Sequence, residues 1–196
     1  MNLKNVVKIA VFSIIGFVLT MGLGFATGAL GVVPSLYLSC AFATILVAPV
    51  FVILCRSVKA RGTAFLYFFL IGVFYTIMGM WPILIINTVA GLLAEVVIGN
   101  KDNYSTSNKR VAYAFGVGMF VYSLHAMLIV YLFSTSQSML EMMGQEYFEF
   151  LNNFYTFKNI GICILISVIA SLIGANFGNY IYNKFFSNRA NKSVLK

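Results

Sequence analysis

Six stretches of nearly unbroken apolar residues alternate with short polar or glycine-rich breaks, covering about 8–25, 35–55, 63–78, 82–99, 111–133 and 159–182. A helix rising ~1.5 Å per residue needs ~20 such residues to cross ~30 Å of hydrocarbon, so each run is close to the length of a transmembrane helix. The pattern predicts an all-α membrane protein with six transmembrane helices in one integral membrane domain over residues 1–196, without an appended soluble domain.

The breaks predict the connections. The first, GLGFATGALGVVP, places Gly22, Gly24, Gly28 and Gly31 before Pro34 and predicts a flexible outer loop. Pro49 within the second run removes a helical hydrogen bond and predicts a kink or break. A basic turn with Arg56, Lys59 and Arg61 follows. Only Gly79-Met80-Trp81-Pro82 separates runs three and four, which predicts a tight antiparallel hairpin with Pro82 at a helix start, where a missing N–H costs least. A polar segment, NKDNYSTSNKR, leads to run five. The long connection of about 134–156 then carries Glu141, Glu146 and Glu149. Its apolar residues Met139, Met143, Tyr147, Phe148, Leu151 and Phe154 fit the underside of an amphipathic helix, a lid lying on the bundle.

Composition excludes the soluble alternatives. With 61% hydrophobic and 9% charged residues, the chain has too little polar surface to cover a soluble globule. The net charge of +8 has a membrane explanation. With a cytoplasmic N-terminus, twelve of the thirteen Lys and Arg residues fall on that side: Lys4, Lys8, Arg56, Lys59, Arg61, Lys101, Lys109, Arg110, Lys184, Arg189, Lys192 and Lys196. Only Lys158 falls outside, so both termini are expected in the cytoplasm and no nucleic-acid partner is implied. Lys4 and Lys8 before an apolar run resemble a signal peptide, but no cleavage site follows, and the first span is expected to be retained. Cys40, Cys55 and Cys163 lack CxxC spacing and read as reduced packing residues. The sequence contains no phosphate loop, no HExxH and no paired intramembrane carboxylates, so neither ATP hydrolysis nor another enzymatic activity is expected, and no cofactor or metal.

Polar groups inside apolar runs carry the candidate chemistry, because each must be hidden from lipid. Asn87, in the middle of run four, can read a polar ligand or bond a neighbouring helix. Glu95, near the inner end of that run, is expected to pair with a basic loop side chain. His125 is the sole histidine; it can bond a substrate, ligate haem iron or simply bond a neighbouring hydroxyl such as Tyr122. Trp81 suits either the membrane interface or a pocket wall. The candidate binding set is Met80, Trp81, Asn87, Tyr122, His125 and Tyr147, with few charges, which suits a flat or apolar-bodied ligand with one or two polar handles. Small residues Ala10, Ser13 and Gly16 recur along run one and offer a docking face for a partner helix, while Gly174 and Gly178 form a GxxxG match in run six.

The stretch GMWPILIINTVAGLLAEV resembles the corresponding segment of the MptD (Trep_Strep) family of substrate-binding S components of energy-coupling factor (ECF) transporters. Gly79, Met80, Trp81, Pro82 and Gly91-Leu92-Leu93-Ala94-Glu95 carry the likeness, with Glu where Asp is more usual. The resemblance implies a six-helix bundle that captures a micronutrient at the outer face of a bacterial plasma membrane, under gating outer loops. It also implies a transmembrane T subunit and two ATPase subunits as partners, with delivery by toppling in the bilayer, and small residues of span one as the docking face. Haem or another tetrapyrrole and a small vitamin or precursor are both compatible substrates. The alternative from another class is a non-transporting membrane scaffold or accessory subunit, in which the candidate residues would matter for stability alone.

Overall fold

Every apolar run is helical in the computed structural model, which describes residues 2–133 and 136–187. The elements are α1 (Leu3–Gly28), α2 (Val32–Val58), α3 (Thr63–Ile77), α4 (Pro82–Ile98), the single turn α5 (Asn103–Thr106), α6 (Asn108–Ser123), α7 (His125–Phe133), α8 (Gln137–Met143), α9 (Gln145–Phe154) and α10 (Phe157–Phe185). Helices α1, α2 and α10 are long and apolar enough to cross a membrane, and α6 with α7 makes a fourth if the bent pair is one span. Helices α3 and α4 are apolar but shorter, with 15 and 17 residues. Large apolar side chains such as Val11, Val18, Leu165 and Leu172 stay exposed on α1 and α10, the arrangement expected of a surface that meets lipid rather than water.

The helices run back and forth between two unlike ends. At the lid end, α1 turns into α2, α3 turns into α4, and α8 and α9 lie across the bundle. At the basic end, Arg56 donates to the Tyr104 carbonyl at 2.9 Å and stands over the Tyr182 ring at 5.2 Å, tying α2, α5 and α10 together. Asn108 bonds Asn183 there, joining α6 to α10. Lys59, Arg61, Lys101, Lys109, Arg110 and Lys184 lie on or beside these elements. The tail cations Arg189, Lys192 and Lys196 lie outside the described residues.

Three expectations change. The glycine-rich exit from run one is helix rather than a flexible loop: α1 continues through Gly22 and Gly24 to Gly28, leaving only Ala29–Gly31 as the turn. Thr27 helps to hold that last turn by bonding the Leu23 and Gly24 carbonyls, and Pro34 sits in the first turn of α2, where no helical N–H bond is lost. Pro49 does not break α2, which runs on to Val58. Helix α10 crosses α2 just there. A Cβ on Gly174 would meet the Thr44 carbonyl at 2.5 Å and one on Gly178 would meet Ala48 at 3.1 Å, so the GxxxG pair is an internal contact that braces the proline turn.

Run five is the third change. It is not one straight span but two helices meeting at Leu124 with a 40° bend. The side chains on either side cause the break. Ser123 Oγ donates to the Phe120 carbonyl at 2.6 Å, and His125 Nδ1 bonds the Tyr122 carbonyl at 2.8 Å. These are the carbonyls that an uninterrupted helix directs at Leu124 and Ala126, and Leu124 N–H turns instead to Val121 at 3.2 Å.

Candidate functional site

The site is framed by the α3–α4 hairpin. Helix α3 ends in a Schellman turn: Met80 N–H bonds the Tyr75 carbonyl and Gly79 N–H bonds the Thr76 carbonyl, both at 2.9 Å. Gly79 adopts φ +91°, a conformation that disfavours any other residue, and Pro82 opens α4. The turn delivers Met80 to the bundle interior and Trp81 to its rim. Further along, a Cβ on Gly72 would meet Leu84 Cα at 2.9 Å and one on Gly91 the Phe65 carbonyl at 2.9 Å, so the two helices touch backbone to backbone at both levels. Glu95 locks the far end. Its Oε1 accepts from Ala64 N–H at 2.9 Å, Phe65 N–H at 3.2 Å and Tyr104 OH at 2.5 Å. Among the described residues it pairs with no basic side chain: it caps the first turn of α3, where unpaired N–H groups and the positive end of the helix dipole favour an oxygen acceptor. Burial pushes the Tyr104 phenol above its ordinary range, so it is held as a donor. Gly91 and Glu95, two residues of the family-like stretch, are therefore joinery of the hairpin.

The lid is two short helices rather than one, divided at Gly144 with φ +78°. Met139, Phe148, Leu151 and Phe154 are buried beneath it, while Glu141, Glu146 and Glu149 face away. Phe154 packs edge-on against Tyr37 of α2 at 5.0 Å, and Tyr131 of α7 donates to the Tyr155 carbonyl at 2.7 Å. Trp81 packs edge-on against Phe133 at 5.0 Å and points its N–H at Ser138 Oγ, 3.4 Å away.

Under the lid lie two adjoining cavities of about 410 and 230 Å³ that share Ser39, Cys40, Met80, His125 and Tyr147. Helix α1 supplies Thr20 and Met21, α3 supplies Tyr75, and α6 supplies Tyr122. The bend between α6 and α7 opens this space. His125 stacks on the Tyr122 ring at 4.8 Å while bonding that residue's carbonyl. A carbonyl can only accept, so Nδ1 carries a proton, and Nε2 is the ring nitrogen left to meet a ligand. Tyr122 and Tyr75 bond each other through their hydroxyls at 2.7 Å. Among the described residues no Asp, Glu, Lys or Arg lines either cavity. Burial raises the phenols of Tyr147 and Tyr155, so both face the site as neutral hydroxyls.

Of the predicted site residues, Met80, Tyr122, His125 and Tyr147 meet at this cavity. Asn87 does not reach it; fully buried, it lines a small chamber beneath, walled by Thr20, Tyr67 and Tyr122. Trp81 lines neither cavity and is an anchor for the lid. Thr20, Ser39, Cys40 and Tyr75 were not anticipated; a hydroxyl or thiol near the outer end of a run was the available signal. In the proposed docking set, Ser13 and Gly16 face inward: a Cβ on Gly16 would collide with the Tyr67 hydroxyl, and Ser13 is fully buried. Ala10 is partly exposed. The set therefore serves contact with α3 rather than presenting an open small-residue face.

No curated protein and no solved structure matches the chain. A family model described as a hypothetical bacterial integral membrane protein (Trep_Strep) matches residues 3–188, and the chain belongs to that family.

Proposed function

We propose that this protein is the substrate-capturing S component of an ECF-type importer in a bacterial plasma membrane. In this reading α3 and α4 cross the bilayer as a hairpin beside α1, α2, α6–α7 and α10, giving six spans with the basic end and both termini in the cytoplasm. The lid end then faces outward. A small molecule enters beneath α8 and α9, and a transmembrane T subunit with two ATPase subunits drives toppling that carries the cavity to the other side. The protein itself does no chemistry on its cargo.

The observation that carries this reading is the cavity beside the lid, lined by no charged side chain among the described residues, at the end of the bundle opposite the basic loops. A scaffold has no use for a recess on which aromatic, hydroxyl and imidazole groups converge. Its lining favours a small neutral vitamin or precursor over haem, whose two propionates would find no cation there. The glycine-rich turn Ala29–Gly31 is too short to gate, so access depends on α8 and α9.

The test is native mass spectrometry and an absorbance spectrum of the protein purified from its own host in mild detergent. A bound small molecule together with a T subunit and ATPases is the expected result. A Soret band lost on His125→Ala would make the cargo haem. An empty chain that captures neither T subunit nor ATPases would overturn the proposal in favour of the scaffold.

A further inference from the structure

Asn87 is fully buried in the middle of α4, and neither its Oδ1 nor its Nδ2 has a hydrogen-bond partner among the described residues. The Tyr67 hydroxyl is in the same state. Leaving such groups unpaired in a protein interior costs on the order of 1–3 kcal/mol each, so they mark either an error of packing or a site for a guest. Both residues line one chamber of about 10 Å³, the room that a single water-sized atom needs. The other hydroxyls around it are already engaged, Thr20 with the Gly16 carbonyl at 2.8 Å and Tyr122 with Tyr75 at 2.7 Å. Thr20 and Tyr122 also line the large cavity, so the chamber is separated from it by these side chains alone.

We propose that this chamber is the inner subsite of the substrate cavity, taking one uncharged group of the cargo that both donates and accepts, a hydroxyl, on Asn87 and Tyr67. This rests on the transport reading and gives it a substrate class. Asn87 presents a donor and an acceptor side by side, which a hydroxyl satisfies and a carboxylate or an ammonium group does not. Among the described residues the chamber, like the cavity above it, is lined by no charged side chain, so a charged end buried there would have no counter-ion. In the absence of cargo a single water satisfies the same groups.

The experiment is a structure of the protein as purified from its own host, at a resolution that shows waters, with binding of the small molecule that co-purifies with it measured by native mass spectrometry for the parent, Asn87→Leu and Tyr67→Phe. A cargo whose polar end lies within hydrogen-bond distance of Asn87, with its body under the lid, is expected. Asn87→Leu should weaken binding roughly tenfold or more while the melting temperature of the cargo-free protein changes little, because that amide bonds only a water there. Should that variant fail to fold, Tyr67→Phe, which removes one oxygen only, gives the same reading. A cargo in the upper cavity with water alone at Asn87, or unchanged affinity in both variants, overturns the subsite and leaves the importer standing. An empty cavity without partner subunits overturns both.

Discussion

The α3–α4 hairpin and the α6–α7 pair are built from the same apolar vocabulary and do opposite things. In the hairpin, glycines bring two backbones into contact, a Schellman turn closes one end, and Glu95 closes the other. In the α6–α7 pair, Ser123 and His125 draw carbonyls away from the helix, the chain bends by 40°, and side chains at the bend are left facing a cavity. Bonding polar side chains to main-chain groups rigidifies the first unit and opens the second. Glu95 fills orphans at a helix start; Thr76 and Thr88 each take a single mid-helix carbonyl without a bend, whereas Ser123 and His125 take two carbonyls within three residues, where the chain bends.

Adding a side chain to the hairpin seam is the severest way to break that contrast. Gly91→Leu should cost about 3 kcal/mol, the upper end of overpacking, because its new Cβ would lie 2.9 Å from the Phe65 carbonyl and backbone cannot step aside. Thermal unfolding in detergent measures it. Gly161→Leu on α10 is the control, with nothing within 4 Å, and should shift stability by no more than about 0.5 kcal/mol. Equal losses in the two variants would mean that the seam is not close-packed.

Next in size is the cap. Glu95→Ala strips an acceptor from two N–H groups and the Tyr104 hydroxyl and should cost about 2 kcal/mol, with Glu95→Gln recovering part of it through its remaining oxygen. If instead Glu95→Ala unfolds like the parent, the carboxyl group is not what anchors α3. A smaller effect is expected at the bend. Ser123→Ala combined with His125→Ala frees the Phe120 and Tyr122 carbonyls, so a spin-label distance spanning α6 and α7 should lengthen as the helix straightens, at a stability change within about 1 kcal/mol. A bend that persists would assign it to packing by the lid.

The sequence announces much of the hairpin and little of the cavity, for physical reasons. Gly79 and Pro82 are turn residues by their own conformational limits, so GMWP is readable wherever it occurs. Gly22, Gly24 and Gly28 mislead because a loop signal in water is an ordinary helix residue in an apolar span. Pro49 misleads similarly, since neighbouring helices can brace the freed backbone. Ser13 and Gly16 are legible as a close-approach stripe but not as to whose approach; Tyr67 of α3 takes the place expected of an outside partner. Four of the six predicted site residues converge, because aromatic, thioether and imidazole groups at the outer ends of runs have few other places to go. The break at Leu124 carries neither glycine nor proline. It depends on side-chain bonds that become visible only once the helix is in place.

The lid offers the smallest effect and the sharpest sign. Burial raises the Tyr147 and Tyr155 phenols above the ordinary value of 10.0, so the folded lid binds these protons more tightly than the open chain does. Below about pH 10 both phenols are protonated in either state and closure gains nothing from pH; above it the open chain ionises first, and stability falls as pH rises. Trp81, the sole tryptophan, reports on this through its place beside Phe133 and Ser138. Its emission should be flat from about pH 6 to about pH 9 and shift as the lid loosens above about pH 10. In a Tyr147→Phe, Tyr155→Phe double variant the alkaline shift should be reduced. An undiminished alkaline shift in the double variant would mean that the two phenols are solvated in the folded lid and carry none of the effect. The lid would then be resting open, and the contrast between a closed hairpin and a covered cavity would fail at its second term.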